Sequence, residues 1–359
     1  MRFELGTRVV SGENALDHLQ DFGARRVLVV CDPFFMDSGQ AARIGAAAGG
    51  QQTEFFDKVE PDPTVELAAE GTGVLKALDP ELVIALGGGS AMDLAKAMCY
   101  FAGTAAPLCA VPTTSGSGSE VTDFAILTHK GVKHPLVDRR LRPHTAILEA
   151  SLLDSLPRSL IADGGFDAIS HALEALVAKN AGSISDCLAT EAFRRLLALL
   201  PASYGGDKSV RLRLHEASTM AGMAFSQAGL GMCHAISHAL GGKYHVPHGR
   251  LNAILLPGVV GCNAHAAGDI YARLAQSAGM VGSAQSLGVR NLKNTLVKLR
   301  RELGLPATLK DAGIEPRRLR QDMEEIVAAA LEDPCCATNP MTVEGFMIRG
   351  VLEEAAGRG

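Results

Sequence analysis

Four of the chain's 11 histidines fall within residues 229–249, the segment GLGMCHAISHALGGKYHVPHG. His234 and His238 are four residues apart, so a helix would place both imidazoles on one face. His248 follows in a Pro-His-Gly sequence, where a turn can bring its imidazole back towards that helix. Imidazole nitrogens that converge in this way are typical ligands of a divalent metal. The segment therefore predicts a metal site.

A carboxylate with the same helical spacing lies earlier in the chain. In GGFDAISHALEA, Asp167 precedes His171 by four positions, so both side chains project from one helix face. Taken alone, the pair is also explained by an acid near a helix start beside a hydrogen-bonded core histidine. Taken with the histidine cluster, it gives one carboxylate and three imidazoles without thiolate, which suits Fe²⁺ or Zn²⁺ and leaves positions for substrate. His238 and His245 are then left over.

Two loops rich in glycine and serine are candidates for nucleotide binding. The first follows a predicted strand and opens a predicted helix in LGGGSAMDLAK, where backbone amides and the helix dipole can meet a phosphate. A purely structural turn explains so short a motif equally well. The second, PTTSGSGSE, begins at Pro112, also follows a strand and offers hydroxyls and free amides. Open α/β sheets bind ligands at such loops, at the carboxyl ends of their parallel strands.

An acid closes another of the predicted strands. Asp32 ends the apolar run RVLVVCD, where the acid that accepts a ribose 2′-hydroxyl is found in NAD sites. Such an acid repels the 2′-phosphate of NADP. The alternative is that Asp32 caps a turn or helix together with Pro33.

The order of elements predicts two domains, residues 1–155 and 156–359. The first alternates apolar strands with helices, as a parallel sheet covered on both faces requires, with strands over 26–32, 81–86 and 108–112 and a helix over 91–101. The second is rich in Ala and Leu at helical spacing and is predicted all-helical, with helices over 186–200, 214–225 and 289–302. Helix ends are predicted at Pro157, Pro201, Gly229, Gly241–Gly242 and Pro306.

Composition narrows the choice of partners. A net charge of -5 and a pI near 6.1 give no basic footprint for nucleic acid or an anionic membrane. No apolar run approaches a membrane span or a signal peptide, so a cytoplasmic protein with small-molecule partners is expected. The eight cysteines show no paired CxxC spacing, so neither a zinc ribbon nor a disulfide framework is predicted.

Four motifs in order resemble the iron-containing, group III alcohol dehydrogenase family: GGGSAMDLAKA, PTTSGSGSEVT, GGFDAISHALEA and the run from His234 to Gly249. The resemblance covers essentially the whole chain. It implies an α/β Rossmann-like domain followed by an all-α domain, the architecture of dehydroquinate synthase. Within the family, AGMAFSQAGLG, KYHVPHG and TNP resemble the 1-propanol and ethanol dehydrogenases of bacterial microcompartments.

The resemblance also implies roles for individual residues. The metal, most often Fe²⁺ with Zn²⁺ as the alternative, would be held by Asp167, His171, His234 and His248. His238 would line the substrate pocket and relay protons. NAD(H) would be contacted by Asp32, Gly87, Gly88, Gly89, Ser90, Asp93, Thr113, Thr114, Thr122 and Lys133.

The activity that the resemblance implies is NAD(H)- and metal-dependent interconversion of short primary alcohols and aldehydes, with aldehyde reduction regenerating NAD⁺. Ethanol/ethanal and 1-propanol/propanal are the expected pairs, and lactaldehyde/1,2-propanediol or 1,3-propanediol are the alternatives. Dehydroquinate synthase and glycerol dehydrogenase share the architecture, but the histidine run and PTTSGSGSEVT favour an alcohol dehydrogenase. A homodimer or larger oligomer is expected, in the cytoplasm or inside a microcompartment with shell or enzyme partners. The alternative to an enzyme is a non-catalytic component of a microcompartment that has kept the fold.

Overall fold

The computed structural model describes residues 3–282 and 284–357. The described chain divides into two compact units, the first being Glu4–Leu156 and the second beginning at Pro157. The first unit contains a parallel sheet with helices, and the described part of the second unit contains helices without strands. The predicted fold class is therefore confirmed.

Eight strands lie in the first unit. They are β1 (Arg8–Ser11), β2 (Arg26–Cys31), β3 (Gln52–Phe56), β4 (Leu82–Gly87), β5 (Leu108–Pro112), β6 (Phe124–His129), β7 (Val132–Val137) and β8 (Thr145–Leu148). Six of them form one parallel sheet in the order β1-β8-β5-β4-β2-β3. β6 and β7 form a separate antiparallel hairpin. The three strands predicted from sequence are confirmed as β2, β4 and β5.

Helices cover both faces of the parallel sheet. They are α1 (Pro33–Asp37), α2 (Gln40–Ala47), α3 (Val65–Leu78) and α4 (Gly89–Ala102), with short 3₁₀ turns at Ala15–Phe22, Ser119–Val121, Arg139–Leu141 and Ala150–Leu153. Successive residues of one strand enter opposite cores, because side chains alternate across a sheet. Leu28 packs in the cluster that includes α3 and α4, and Val29 packs in the cluster that includes α2. Burial on both faces explains why β2 and β4 are continuously apolar.

The second unit is built from nine described helices. They are α5 (Arg158–Val177), α6 (Ser183–Gly205), α7 (Arg211–Ala228), α8 (Met232–Tyr244), α9 (His248–Ser277), α10 (Gln285–Glu302), α11 (Pro316–Glu332), α12 (Cys335–Thr338) and α13 (Gly345–Ala356), with a 3₁₀ turn at Lys208–Val210. α5 packs against α6, α7 and α9, and α8 packs against α9 and α11. This packing places α5, α8 and α9 side by side.

Two predicted helix ends are wrong. Pro201 lies inside α6, near its end, because the packing of α6 against α5 and α7 outweighs one lost backbone hydrogen bond. Gly241 and Gly242 lie inside α8, which continues to Tyr244, whose hydroxyl donates to Asp322 of α11 at 2.9 Å. A glycine costs only about 1 kcal/mol in a helix interior, a cost that the packing of α8 against α9 and α11 offsets.

One helix of the described chain, α9, is long and apolar enough to cross a membrane, judged by length and composition alone. The most apolar window of α9 is 61% buried inside the unit. Core helices of globular units can be equally long and apolar, and α9 packs against α5, α8 and α10. The apolar residues of α9 therefore pack in the core of the second unit. This packing fixes the first turn of the helix, which begins at His248.

Candidate metal and cofactor sites

Three helices of the second unit carry the four predicted metal ligands, and ligand atoms of Asp167, His234 and His248 all lie within 4.8 Å of one another. Asp167 and His171 lie on α5, His234 lies on α8, and His248 is the first residue of α9. The Nε2 atoms of the three histidines lie 3.8, 3.7 and 3.5 Å from the Asp167 Oδ1 atom, respectively. These distances exceed hydrogen-bond length. They are near the ~3.4 Å that separates ligand atoms placed tetrahedrally at ~2.1 Å around an ion.

The chemistry of these donors also fits a cation. The side chain of His234 is 1% exposed, and its Nε2 atom has no hydrogen-bond partner among the described residues. A buried polar atom left in that state costs about 1–3 kcal/mol, which coordination of a metal would offset. Burial disfavours the ionised form of Asp167, but the surrounding histidines hold the pKa of its carboxyl well below the usual range. The residues therefore fit a divalent metal with carboxylate and imidazole ligands.

Glu174 is a functional residue that the sequence reasoning missed. Its carboxylate accepts a hydrogen bond from the Nδ1 atom of His234 at 2.6 Å and from the backbone N–H groups of Gly231 and Cys233 at 3.0 and 2.7 Å. This acceptor requires the proton of neutral His234 to sit on Nδ1, so that the Nε2 lone pair faces the metal position. Glu174 lies seven residues after Asp167 on the same face of α5, which was the available signal.

We expect Glu174→Gln to weaken metal binding by about 10- to 100-fold, because a glutamine can donate to Nδ1 and shift the proton of His234 to Nε2. The measurement is a competition titration against a chelating dye. Glu191→Gln, which changes a half-buried carboxylate paired with Arg194 and Arg195 on α6, is the control. An unchanged metal affinity in Glu174→Gln would contradict the assigned contact.

Other contacts hold the remaining ligands in place. The Asn252 side-chain amide of α9 donates to Asp167 Oδ1 at 2.9 Å, and its carbonyl oxygen accepts from Ser237 of α8. The ring of His171 stacks on Phe225 of α7 and on His234, with centroid distances of 4.2 and 4.6 Å. Hydrogen bonds and ring stacking therefore orient the ligand atoms.

The two remaining histidines of the cluster lie in different surroundings. His238 follows His234 by one helical turn, and its ring stacks on that of His248 with a centroid distance of 5.0 Å. Its Nδ1 atom lies 2.8 Å from a carboxylate oxygen of Asp333. Burial opposes the ionisation of Asp333, but the hydrogen bond with His238 lowers its pKa to about 2. His245 is exposed and follows the last residue of α8 in the left-handed conformation, with φ 55°. It is not among the residues grouped around Asp167.

In the first unit, the predicted phosphate turn joins β4 to α4. Gly87 has a φ of +149°, and a Cβ there would lie 2.7 Å from the Cβ of Ala91. A Cβ at Gly88 would lie 3.1 Å from Thr114 Oγ1, and one at Gly89 would lie 3.2 Å from Ser117 Cβ. Because Gly88 and Gly89 have no side chains, the loop after β4 can lie directly against the loop after β5. No side chain of the described residues caps the start of α4, so the first-turn amides, including that of Ser90, suit a phosphate.

Asp93 and Thr122 belong to a polar network centred on Lys96. The Asp93 carboxylate accepts from the Ser119 hydroxyl at 2.8 Å and from the Ile126 N–H at 3.1 Å. Lys96 Nζ donates to the hydroxyls of Ser119 and Thr122 at 2.8 and 2.9 Å. Burial lowers the pKa of this ammonium to about 8. Sequence reasoning missed Lys96, whose contacts fix the loop that carries Thr122.

The other predicted cofactor residues lie at the carboxyl ends of the strands or on the hairpin. Asp32 follows β2 and caps α1, accepting from the Phe34 N–H at 3.0 Å. The capping alternative is therefore observed, and Asp32 remains half-buried. Thr113 follows β5, and its N–H donates to the Gly87 carbonyl at 2.9 Å. Lys133 lies on β7 and pairs with Asp62.

Comparisons with known proteins match both units of the chain. The family model described as "Iron-containing alcohol dehydrogenase" matches residues 6–150, and the model "Fe-containing alcohol dehydrogenase family, C-terminal" matches residues 161–356. The 1-propanol dehydrogenase PduQ of Salmonella typhimurium is 38% identical over 98% of this chain and 99% of its own.

Two solved structures extend the comparison. An iron-containing alcohol dehydrogenase from Thermococcus thioreducens is 30% identical, with a TM-score of 0.92 over 99% of both chains. A 1,3-propanediol oxidoreductase is 28% identical, with a TM-score of 0.93 over 99% of this chain and 100% of its own. This chain therefore belongs to the iron-containing alcohol dehydrogenase family and is an NAD(H)-dependent oxidoreductase that interconverts alcohols and aldehydes.

Proposed function

We propose that this enzyme reduces short-chain primary aldehydes with NADH, and oxidises the alcohols in reverse, at a metal ion held by Asp167, His171, His234 and His248. The observation behind the proposal is that ligand atoms of Asp167, His234 and His248 all lie within 4.8 Å of one another, with His171 Nε2 3.8 Å from Asp167 Oδ1. The Nε2 atom of His234 is buried without a hydrogen-bond partner among the described residues. A metal at these ligands supplies Lewis-acid polarisation of a carbonyl, and NADH supplies the hydride. Fe²⁺ is the proposed ion, as in the family's description.

The residues of the chain supply positioning and proton transfer in this proposal. Glu174 and Asn252 orient the ligands through the contacts described above. His238, next to the ligands but with its own carboxylate partner, is the proposed proton carrier for the substrate oxygen. In the first unit, Gly87, Gly88, Gly89 and Ser90 would hold the pyrophosphate with backbone amides.

We propose further contacts to NAD(H) from the loop and hairpin residues. Asp32 would bind the adenosine ribose and disfavour the 2′-phosphate of NADP. Thr113 and Thr114 offer hydroxyls beside the glycine turn, and Lys133 offers a cation on the hairpin. For Asp93 and Thr122 the Lys96 network supports a role in shaping the loop around the cofactor.

A rate comparison tests the proposed substrates. We expect protein purified without oxygen and loaded with Fe²⁺ to oxidise NADH with ethanal and propanal, with NADPH at least ~10-fold poorer in kcat/KM because of Asp32. The measurement is the loss of nicotinamide absorbance, with lactaldehyde and 3-hydroxypropanal as further substrates. Chelator-treated protein is the control. Preference for 3-hydroxypropanal would favour the 1,3-propanediol alternative, and no turnover with any aldehyde would contradict the proposal.

The setting of the enzyme is also proposed. We propose a cytoplasmic homodimer that enters a bacterial microcompartment through shell or enzyme partners, supported by the similarity to 1-propanol dehydrogenase PduQ. Light scattering in solution tests the dimer. Co-purification with microcompartment shells, compared with a shell-free strain, tests encapsulation.

A further inference from the structure

Asp333 is held at both of its carboxylate oxygens. It follows α11, and its Oδ2 atom lies 2.8 Å from the Nδ1 atom of His238 on α8. Its Oδ1 atom accepts a hydrogen bond of 2.8 Å from the backbone N–H of Cys335, at the start of α12. The Asp333 side chain is 16% exposed, so water competes little for these contacts. The contact with Cys335 therefore holds the Asp333 carboxylate in place independently of its contact with His238.

This contact decides which nitrogen of His238 is available for chemistry. A carboxylate can only accept, so the neutral imidazole must carry its proton on Nδ1 and present the Nε2 lone pair. The ring is also held from one side by stacking on His248, with planes 17° apart. Hydrogen bond and stacking together set both the tautomer and the orientation of His238.

The same device occurs at the metal ligand one turn earlier. Glu174 accepts from Nδ1 of His234 and leaves Nε2 of that ring directed to the metal position. Two histidines on one face of α8 thus each have a buried or half-buried carboxylate at Nδ1, contributed by a distant part of the chain. The two histidines differ in one respect. The Nε2 atom of His234 lies 3.7 Å from Asp167 Oδ1 at the proposed metal site, and His238 is not among the residues around that atom.

We propose that Asp333 is a positioning residue that acts through His238, holding its Nδ1–H tautomer so that Nε2 exchanges a proton with the substrate oxygen. The inference rests on the proposed function. In alcohol oxidation the O–H bond breaks and its proton goes to Nε2, while the carbon-bound hydrogen leaves as hydride to NAD⁺. In aldehyde reduction the proton returns from Nε2 to the oxygen. Asp333 stays ionised in both directions.

The test compares two carboxylates near α11 that contact α8. Asp333→Asn keeps an oxygen for the Cys335 N–H but offers the imidazole an amide donor, which reverses the tautomer. Asp322→Asn is the matched control, because Asp322 is 21% exposed and accepts from the hydroxyl of Tyr244 without touching His238. Asp333→Glu, His238→Ala and the double variant with Asp333→Asn complete the set. Thermal unfolding and metal content are recorded for each.

We expect Asp333→Asn to lower kcat for propanal about 10- to 100-fold, with KM changed less than ~3-fold and metal content unchanged. Asp333→Glu should recover part of this loss, and Asp322→Asn should match the parent enzyme. The double variant should be no slower than His238→Ala, since both changes remove one function. A folding defect alone would lower stability and active fraction without this non-additivity.

Other outcomes overturn the inference. If His238→Ala is slow but Asp333→Asn keeps the parent kcat, or if the two losses multiply in the double variant, Asp333 does not act through His238. If His238→Ala itself keeps the parent kcat, the proposed role of His238 fails and the inference fails with it. The single variant of His238 thus separates failure of the proposed function from failure of the inference.

Discussion

Replacing His234 with alanine should remove bound metal and turnover together, with kcat/KM falling at least ~10³-fold, because Lewis-acid stabilisation of the transition state contributes several kcal/mol. His234 is the most buried of the four proposed ligands, and truncating it leaves Glu174 buried without its imidazole partner. We therefore expect lower stability as well, by about 3–5 kcal/mol. Metal analysis, steady-state rates and chemical denaturation on the same preparation measure the three effects.

His245→Asn is the control for this change. His245 lies on the same helix but is exposed, and asparagine tolerates its left-handed conformation. The variant should keep parent metal content and rate. Stoichiometric metal with parent turnover in His234→Ala would refute the ligand role, whereas parallel losses in His245→Asn would show only that α8 is sensitive to any substitution.

Gly249→Ala should have a comparable effect without removing any ligand. A Cβ at position 249 would lie 1.9 Å from the backbone oxygen of Asp163 and 3.2 Å from the Cβ of Asp167. Backbone atoms of α5 cannot rotate away as a flexible side chain does, so the first turn of α9 must move and take His248 with it. We expect a loss of about 3–5 kcal/mol in the free energy of unfolding. Metal affinity should fall at least ~100-fold, since a displaced ligand no longer meets the others.

Gly242→Ala provides the comparison. Gly242 lies inside α8, and a Cβ there would meet nothing within 4 Å. Alanine should stabilise this helix by about 0.5–1 kcal/mol. Denaturant unfolding of both variants, with and without Fe²⁺, measures the contrast. Equal stability of Gly249→Ala and the parent would mean that α5 and α9 are not as close as the structure has them.

Much of the candidate metal centre was predictable because its proposed ligands follow helix periodicity. The spacing of four in Asp167–His171 places both residues on one face of α5, and the histidine run marks α8 and the start of α9. The ends of α8 were not predictable in this way. Two glycines suggested a stop, but α8 continues through them and packs against α9 and α11, where Tyr244 contacts Asp322, 78 residues later.

The carboxylate partners were hidden for a related reason. Glu174 shares a face with Asp167, but nothing local in the sequence says that His234, 60 residues away, donates to it. Asp333 lies 95 residues from His238, after a helix without any ligand. Hydrogen bonds across such separations depend on how helices pack, which local patterns do not contain. Lys96 illustrates the same limit in the first unit. A lysine in a helix is usually exposed, but the Lys96 ammonium is fully buried and donates a hydrogen bond to Ser119.

The placement of His248 on the first turn of α9 bears on when the site comes into existence during synthesis. The proposed ligands on α5 leave the ribosome long before those on α8 and α9, and Asp167 with His171 supplies only two of the four proposed ligands. The proposed coordination set would therefore be complete only after residue 248 has been made and α9 has packed against α5 at Gly249. With the proposed ligand set, iron would therefore bind only after α5, α8 and α9 have packed together, rather than start their folding.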